Sequence, residues 1–159
     1  MRRRTVLVVV AGVVLVAALA VIAVGQWSLH ERRGEERRVA AIRDAAESAV
    51  TAVLSYDYRR LEAGVADTTP LLTGDAEREY ADVQEPLARS APGLKAVVSA
   101  DVKESTVLES DDDNARVLLF VDQLSQSRRI ERPQLDQSRV VVTMEREGDD
   151  WLVSTLAAV

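Results

Sequence analysis

Ala115-Arg116-Val117-Leu118-Leu119-Phe120-Val121-Asp122-Gln123 (ARVLLFVDQ) carries apolar side chains at both odd and even positions. A strand that is apolar on both alternating faces belongs inside a sheet, so this stretch reads as the central strand. Working outward, Asp111-Asp112-Asp113-Asn114 is an acidic turn, preceded by two short strands at 94–103 (LKAVVSADVK) and 105–110 (STVLES). On the other side, 124–137 reads as a polar excursion containing Arg128, Arg129, Arg132 and Pro133. Residues 138–147 then alternate cleanly, with Val140, Val142 and Met144 on one face and Arg139, Thr143 and Glu145 on the other. Gly148-Asp149-Asp150 turns the chain into a last strand, 151–156, with Trp151 and Val153 toward the core. The second half is an antiparallel meander.

The first half of the domain is helical. Val39, Ile42, Ala46, Ala49 and Val53 recur at a 3-4-3-4 spacing joined by Val50 and Leu54, which predicts an amphipathic helix over about 36–56. Two heptads fall short of a coiled coil, so a helix packed on its own sheet is preferred. Residues 55–61 (SYDYRRL) open a second helix that ends near Asp67, broken by Thr68-Thr69-Pro70. Thr73 is the candidate N-cap of a third helix, with Asp75, Glu77 and Glu79 where the helix dipole favours acids. That helix runs through Tyr80 and Val83 toward Ala91, is disturbed at Pro86, and ends at Pro92-Gly93.

Ahead of this domain lies Val6–Val24, nineteen residues without a polar side chain. As a helix they span about 28 Å, close to the ~30 Å hydrocarbon core. Nine valines and one isoleucine disfavour a helix in water, but in lipid the backbone must bond internally. Trp27 is suited to the interface. A cleaved secretory signal is the rival reading. Ala18-Leu19-Ala20 resembles a cleavage site, yet Val21-Ile22-Ala23-Val24 continue the apolar run beyond it, which favours an uncleaved anchor. Arg2, Arg3 and Arg4 place the N-terminus in the cytoplasm and the domain outside. Arg32, Arg33, Arg37 and Arg38 on the other flank oppose that orientation, and the size of the domain behind them outweighs them. The expected organisation is a cytoplasmic tail (1–5), a transmembrane helix (6–27), a charged spacer (28–38) and an extracytoplasmic α+β domain (39–159).

Charge and composition exclude several classes of function. Setting aside Arg2, Arg3 and Arg4 leaves 17 basic against 26 acidic residues, a net charge near −9 that disfavours nucleic acid and anionic headgroups. With no cysteine there are no disulfides, thiol catalysis or cysteine metal sites. His30 is the single histidine and sits outside the domain, so the domain holds no Ser-His-Asp triad or histidine metal cluster. Asp111-Asp112-Asp113 lacks the alternating oxygen ligands of a calcium loop and reads as a solvated turn, as does Asp149-Asp150. Arg128, Arg129 and Arg132 read as a solvated loop, with an acidic partner as the alternative.

Tyr56-Asp57-Tyr58 is the cluster with most chemical potential. Inside an apolar pocket Asp57 would serve as a general base and a tyrosine hydroxyl as oxyanion donor, as in ketosteroid isomerases. The preferred reading has the tyrosines packing a helix junction while Asp57 caps the next helix. No residue is assigned a catalytic, cofactor-binding or metal-binding role.

Helices followed by a curved antiparallel sheet resemble the NTF2-like cone, in which three helices pack on the concave face and enclose a pocket. The whole order is similar to the actinobacterial Mce-associated membrane proteins. It comprises an Arg-rich start, one apolar span, a helix running into Ser55-Tyr56-Asp57-Tyr58-Arg59, Leu72-Thr73-Gly74, ARVLLFVDQ at 115–123, RVVVTM at 139–144 and GDDWLV at 148–153. One departure is Ala76, where that family tends to carry an aromatic, while Tyr80 keeps the aromatic expected one turn later. The resemblance implies a non-enzymatic accessory or scaffold subunit of an Mce-type lipid or sterol import system. Its implied partners are Mce-family proteins and their permease, its implied location is the plasma membrane, and it implies no cofactor. Two other readings remain: an anchored lipid- or steroid-binding protein or isomerase using the cone pocket, and a VirB8-like secretion-apparatus scaffold.

Overall fold

The computed structural model describes residues 34–129 and 131–159. The tail, the expected transmembrane helix over 6–27, its Trp27 and His30 lie outside the described residues. Among those described, no helix is long and apolar enough to cross a membrane. Residues 39–159 form one compact unit.

The fold is α+β, with three helices and an antiparallel sheet. Its elements are α1 (34–54), β1 (Tyr56–Asp57), α2 (Leu61–Thr68), a 3₁₀ turn (Thr69–Leu71), α3 (Gly74–Leu94), β2 (Val97–Ser110), β3 (Asn114–Gln126), β4 (Gln134–Glu147) and β5 (Asp150–Ala158). The five strands lie in the order β1-β2-β3-β4-β5, each antiparallel to its neighbour. The expected meander is therefore present, and ARVLLFVDQ is its central strand.

Period-2 patterning decides which face is buried. Ala115, Val117, Leu119 and Val121 of β3 lie on the inner face with Val140, Val142 and Met144 of β4 and Trp151 and Val153 of β5. The apolar stripe of α1 (Ile42, Ala46, Ala49 and Val50) closes over them, and its two alanines permit close approach of helix and sheet. The other face of β3 departs from the expectation: Leu118 is only half-buried and Phe120 is 42% exposed. The strand is central by its neighbours, while only one of its faces is covered among the described residues.

Four boundaries differ from those expected. The two strands expected over 94–103 and 105–110 are one strand, Val97–Ser110, because the break in alternation near Glu104 is a bulge between Val102 and Glu104, with a second between Val107 and Glu109. No glycine or proline lies there to turn the chain, and bulges coil a sheet instead. The polar excursion expected over 124–137 is strand at both ends, 124–126 and 134–137: Ser125 pairs with Gln134 and Leu124 with Leu135, extending the β3–β4 hairpin.

The third helix runs through both Pro86 and Pro92 to Leu94. The carbonyls these prolines leave unbonded, at Asp82 and Ala88, belong to exposed residues where water can satisfy them. Lys95, at φ 48, supplies the left-handed cap, its N–H donating to Ala91 and Pro92 carbonyls. Thr73 holds the extended N-cap backbone, but its hydroxyl donates to Glu147 Oε1 (2.8 Å) instead of capping.

The fourth correction bears on function. Residues 55–60 are not the start of a helix. Tyr56 and Asp57 pair with Val98 and Val97 as a short edge strand, and α2 begins only at Leu61. Ser55 Oγ accepts the N–H of Ala100 (2.9 Å), and Tyr58 N–H donates to Ala96 O (3.1 Å), tying the segment to β2. Asp57 Oδ1 accepts the N–H of Arg59 (2.9 Å), a local bond that competes with helix formation.

Candidate functional site

α2 stands off from α3, and the space between them above the inner face of the sheet is a cavity of about 630 Å³. It falls within the ~300–1,000 Å³ typical of ligand sites. Each wall follows from the local fold. Val53 and Leu54 come from the end of α1, Leu61 and Gly64 from α2, and Leu72 from the chain between the 3₁₀ turn and α3. Helical spacing places Ala76, Tyr80, Val83 and Leu87 along one side of α3, while Val98, Gln123 and Leu156 come from the strands. The lining is mostly apolar. Arg60, Gly64, Glu79, Val83 and Asp136 are exposed members of it and mark its rim.

Ala76, the departure from the aromatic expected by resemblance, lines this cavity and is itself 7% exposed. Its methyl group leaves space that a ring would occupy. Tyr80 lines the same cavity. The unusual position of the sequence thus falls in the cavity wall, a connection invisible until α3 is set against the sheet.

Asp57 reaches the cavity lining, yet its carboxylate is committed elsewhere. Arg59 Nε donates to both carboxylate oxygens (2.9 and 3.0 Å), Arg59 Nη2 donates to Oδ2, and the Arg59 backbone N–H adds a further bond. The Arg59 guanidinium and N–H together lower the Asp57 pKa to about 2. A general base for proton abstraction needs the opposite environment, one that raises its pKa toward the working pH. Arg59 in turn lies 5.7 Å from the Tyr58 ring centroid, a cation–π contact. The Tyr56-Asp57-Tyr58 cluster is therefore the short edge strand and the start of the turn after it, tied by the Asp57–Arg59 ion pair. Asp57 does not cap the next helix as expected, since Arg60 is the N-cap there, and its ion pair with Arg59 also tells against the alternative reading as a general base.

The other candidates are placed as follows. Asp111 Oδ1 accepts the N–H groups of Asp113 and Asn114 (2.9 and 2.7 Å), so the acidic run is a hydrogen-bonded hairpin turn. No group of three or more metal-ligating side chains converges among the described residues. Arg128, Arg129 and Arg132 are exposed on the β3–β4 loop, joined to the end of α3 by the Arg128 N–H donating to Leu94 O (2.7 Å). Trp151 is in the core, as expected.

Sequence reasoning missed Gln123 and Asp136, which face each other across β3 and β4 and both line the cavity. The pairing register alone brings them together, and nothing in the sequence signals it.

No family model matches the chain. It is 30% identical over 116 residues to an uncharacterized protein of Mycobacterium tuberculosis, an alignment covering 72% of this chain and 53% of that protein. The chain thus spans about half the length of the curated relatives it matches. Among solved structures it is similar to an IcmL-like type IV secretion system protein of Legionella pneumophila, with a TM-score of 0.63 and 15% identity, covering 76% of this chain and 91% of that one. It is also similar to CagV, a VirB8 homolog of Helicobacter pylori (TM-score 0.59, 9% identity, 76% and 97% covered). VirB8 of Agrobacterium tumefaciens gives a TM-score of 0.58 at 8% identity, with 73% and 88% covered. At such identities the likeness shows the fold alone: the domain has a VirB8-like α+β fold.

Proposed function

We propose that this chain is a non-enzymatic, membrane-anchored accessory subunit that assembles or stabilises an Mce-type lipid importer on the outer side of the plasma membrane. The observation that carries the reading is the VirB8-like domain fold joined to the apolar stretch Val6–Val24. Domains of that fold in the solved structures belong to type IV secretion systems, and one of them is described as periplasmic. The relative from Mycobacterium tuberculosis supports the actinobacterial setting.

Two features support a non-enzymatic role. The Asp57 carboxylate at the cavity is held ionised by Arg59, and the described residues contain no histidine or cysteine. The partners proposed are Mce-family proteins and their permease, with the acidic surface excluding nucleic acid. A secretion-apparatus scaffold is the second reading, favoured by the structural likeness itself.

Deleting the gene and measuring Mce-protein abundance in membranes tests the proposal. Loss of those proteins, restored by the full chain, is the expected result. Unchanged amounts would count against an assembly role, and loss of secretion components instead would favour the second reading.

A further inference from the structure

The cavity surface is mostly hydrocarbon, broken by polar side chains that include Tyr56, Gln84 and Ser125 as well as those at its sheet wall. Gln123 and Asp136 are cross-strand partners at its sheet wall. The Gln123 side-chain amide donates to Leu54 O (3.4 Å), which leaves its carbonyl oxygen as an acceptor. Asp136 offers two more acceptor oxygens, one of them taken by Gln134 Nε2 at 3.0 Å. The Tyr80 hydroxyl, on α3, has no hydrogen-bond partner among the described residues.

Charge narrows the ligand further. Asp136 and Glu79 repel an anionic head; Arg60 at the rim offsets one of these two acids and Arg59 neutralises Asp57, so the net attraction left for a cationic head is small. Bringing a charge of either sign against so apolar a wall also carries a desolvation cost. An uncharged hydrogen-bond donor avoids both penalties and meets the acceptors. At the ~30 Å³ that a small group occupies in a liquid, 630 Å³ accommodates roughly 20 non-hydrogen atoms.

We propose that this cavity binds one neutral, predominantly hydrocarbon molecule bearing a hydroxyl group. Its body lies against Leu61, Val83, Leu87 and Leu156, and its hydroxyl donates to the Gln123–Asp136 pair. Ala76 supplies the room for it. This goes beyond the scaffold reading and does not rest on it: absence of importer subunits among the partners would leave the cavity chemistry intact.

The test uses the full chain in lipid nanodiscs and three photoactivatable diazirine probes with the same sixteen-carbon chain, ending in an alcohol, a carboxylate or an amine. Cross-linked residues are mapped by peptide mass spectrometry. The alcohol is expected to label 61–87 and Leu156 saturably, at least fivefold more than either charged probe. Ala76→Phe fills the cavity and is expected to reduce that labelling at least fivefold without lowering the unfolding midpoint. Should that variant misfold, Gly64→Leu serves instead: a Cβ there meets no atom within 4 Å, and Gly64 lines the cavity. Gln123→Leu removes one acceptor and is expected to weaken alcohol labelling about fivefold while leaving a probe without the hydroxyl unchanged. Labelling confined to 6–27 or to the outer sheet face, indifference to the cavity-filling variants, or equal labelling by a charged probe would overturn the proposal.

Discussion

Ile42→Ala tests how α1 holds the domain together. Ile42 is fully buried in α1, in a stripe whose other core members are Ala46, Ala49 and Val50. It is the largest side chain that the helix stripe sends into the core. The substitution removes three carbons, worth about 2.4 kcal/mol at ~0.8 kcal/mol each. Because β3 and β4 cannot collapse onto the vacated space, a cavity term brings the expected cost to about 3 kcal/mol. That is a large share of the ~5–15 kcal/mol by which a domain is stable. With a urea dependence of ~2 kcal/mol per molar, the midpoint should fall by about 1.5 M. The assay is Trp151 fluorescence during urea unfolding of the full chain, in a Trp27→Phe background so that one tryptophan reports. Val83→Ala, at a residue 55% exposed, is the control and should cost about 0.5 kcal/mol or less. A cost under 1 kcal/mol for Ile42→Ala, or a larger one for the control, would refute the packing of α1 on the inner face.

Other outcomes follow from single contacts. Ala46 is also fully buried, so Ala46→Leu should overpack the helix–sheet contact and destabilise by about 1–3 kcal/mol in the same urea assay. Ser55→Ala removes the acceptor for Ala100 N–H and should cost about 1 kcal/mol, with faster amide exchange at Ala100. Asp57, with its pKa lowered to about 2 by Arg59, contributes stability that is complete above the ordinary carboxylate pKa and lost as pH falls through about 2. A carboxyl NMR titration should find that midpoint in the native chain and a higher one in Arg59→Ala. Gly148→Ala should destabilise by about 1 kcal/mol, because φ is +65° in the β4–β5 turn, and thermal unfolding reads the change.

Strand order, the buried faces of β4 and β5 and the apolar stripe of α1 were legible because each rests on periodicity within one segment. Val140, Val142 and Met144 alternate in the sequence and are buried together. The bulged β2 was misread because an extra residue shifts the alternation just as a turn would. Two prolines counted against a continuous α3, yet the carbonyls they leave unbonded belong to exposed residues.

At residues 55–60 local helix continuity lost to pairing with β2, forty residues away, which no local pattern reveals. The cavity was less legible still. The sequence suggested a pocket through fold likeness and singled out Ala76 as unusual, but joined the two nowhere. Gln123 meets Asp136 only through strand register, and the commitment of Asp57 to Arg59 depends on a turn the sequence reads as helix.

The central claim is a scaffold role in an envelope importer. Cross-linking the tagged full chain in its native membrane, followed by mass spectrometry of its partners, tests it most directly. Mce-family proteins and their permease, enriched over an unrelated single-pass control, are the predicted result. An eluate enriched in secretion-apparatus proteins and free of Mce proteins would contradict it.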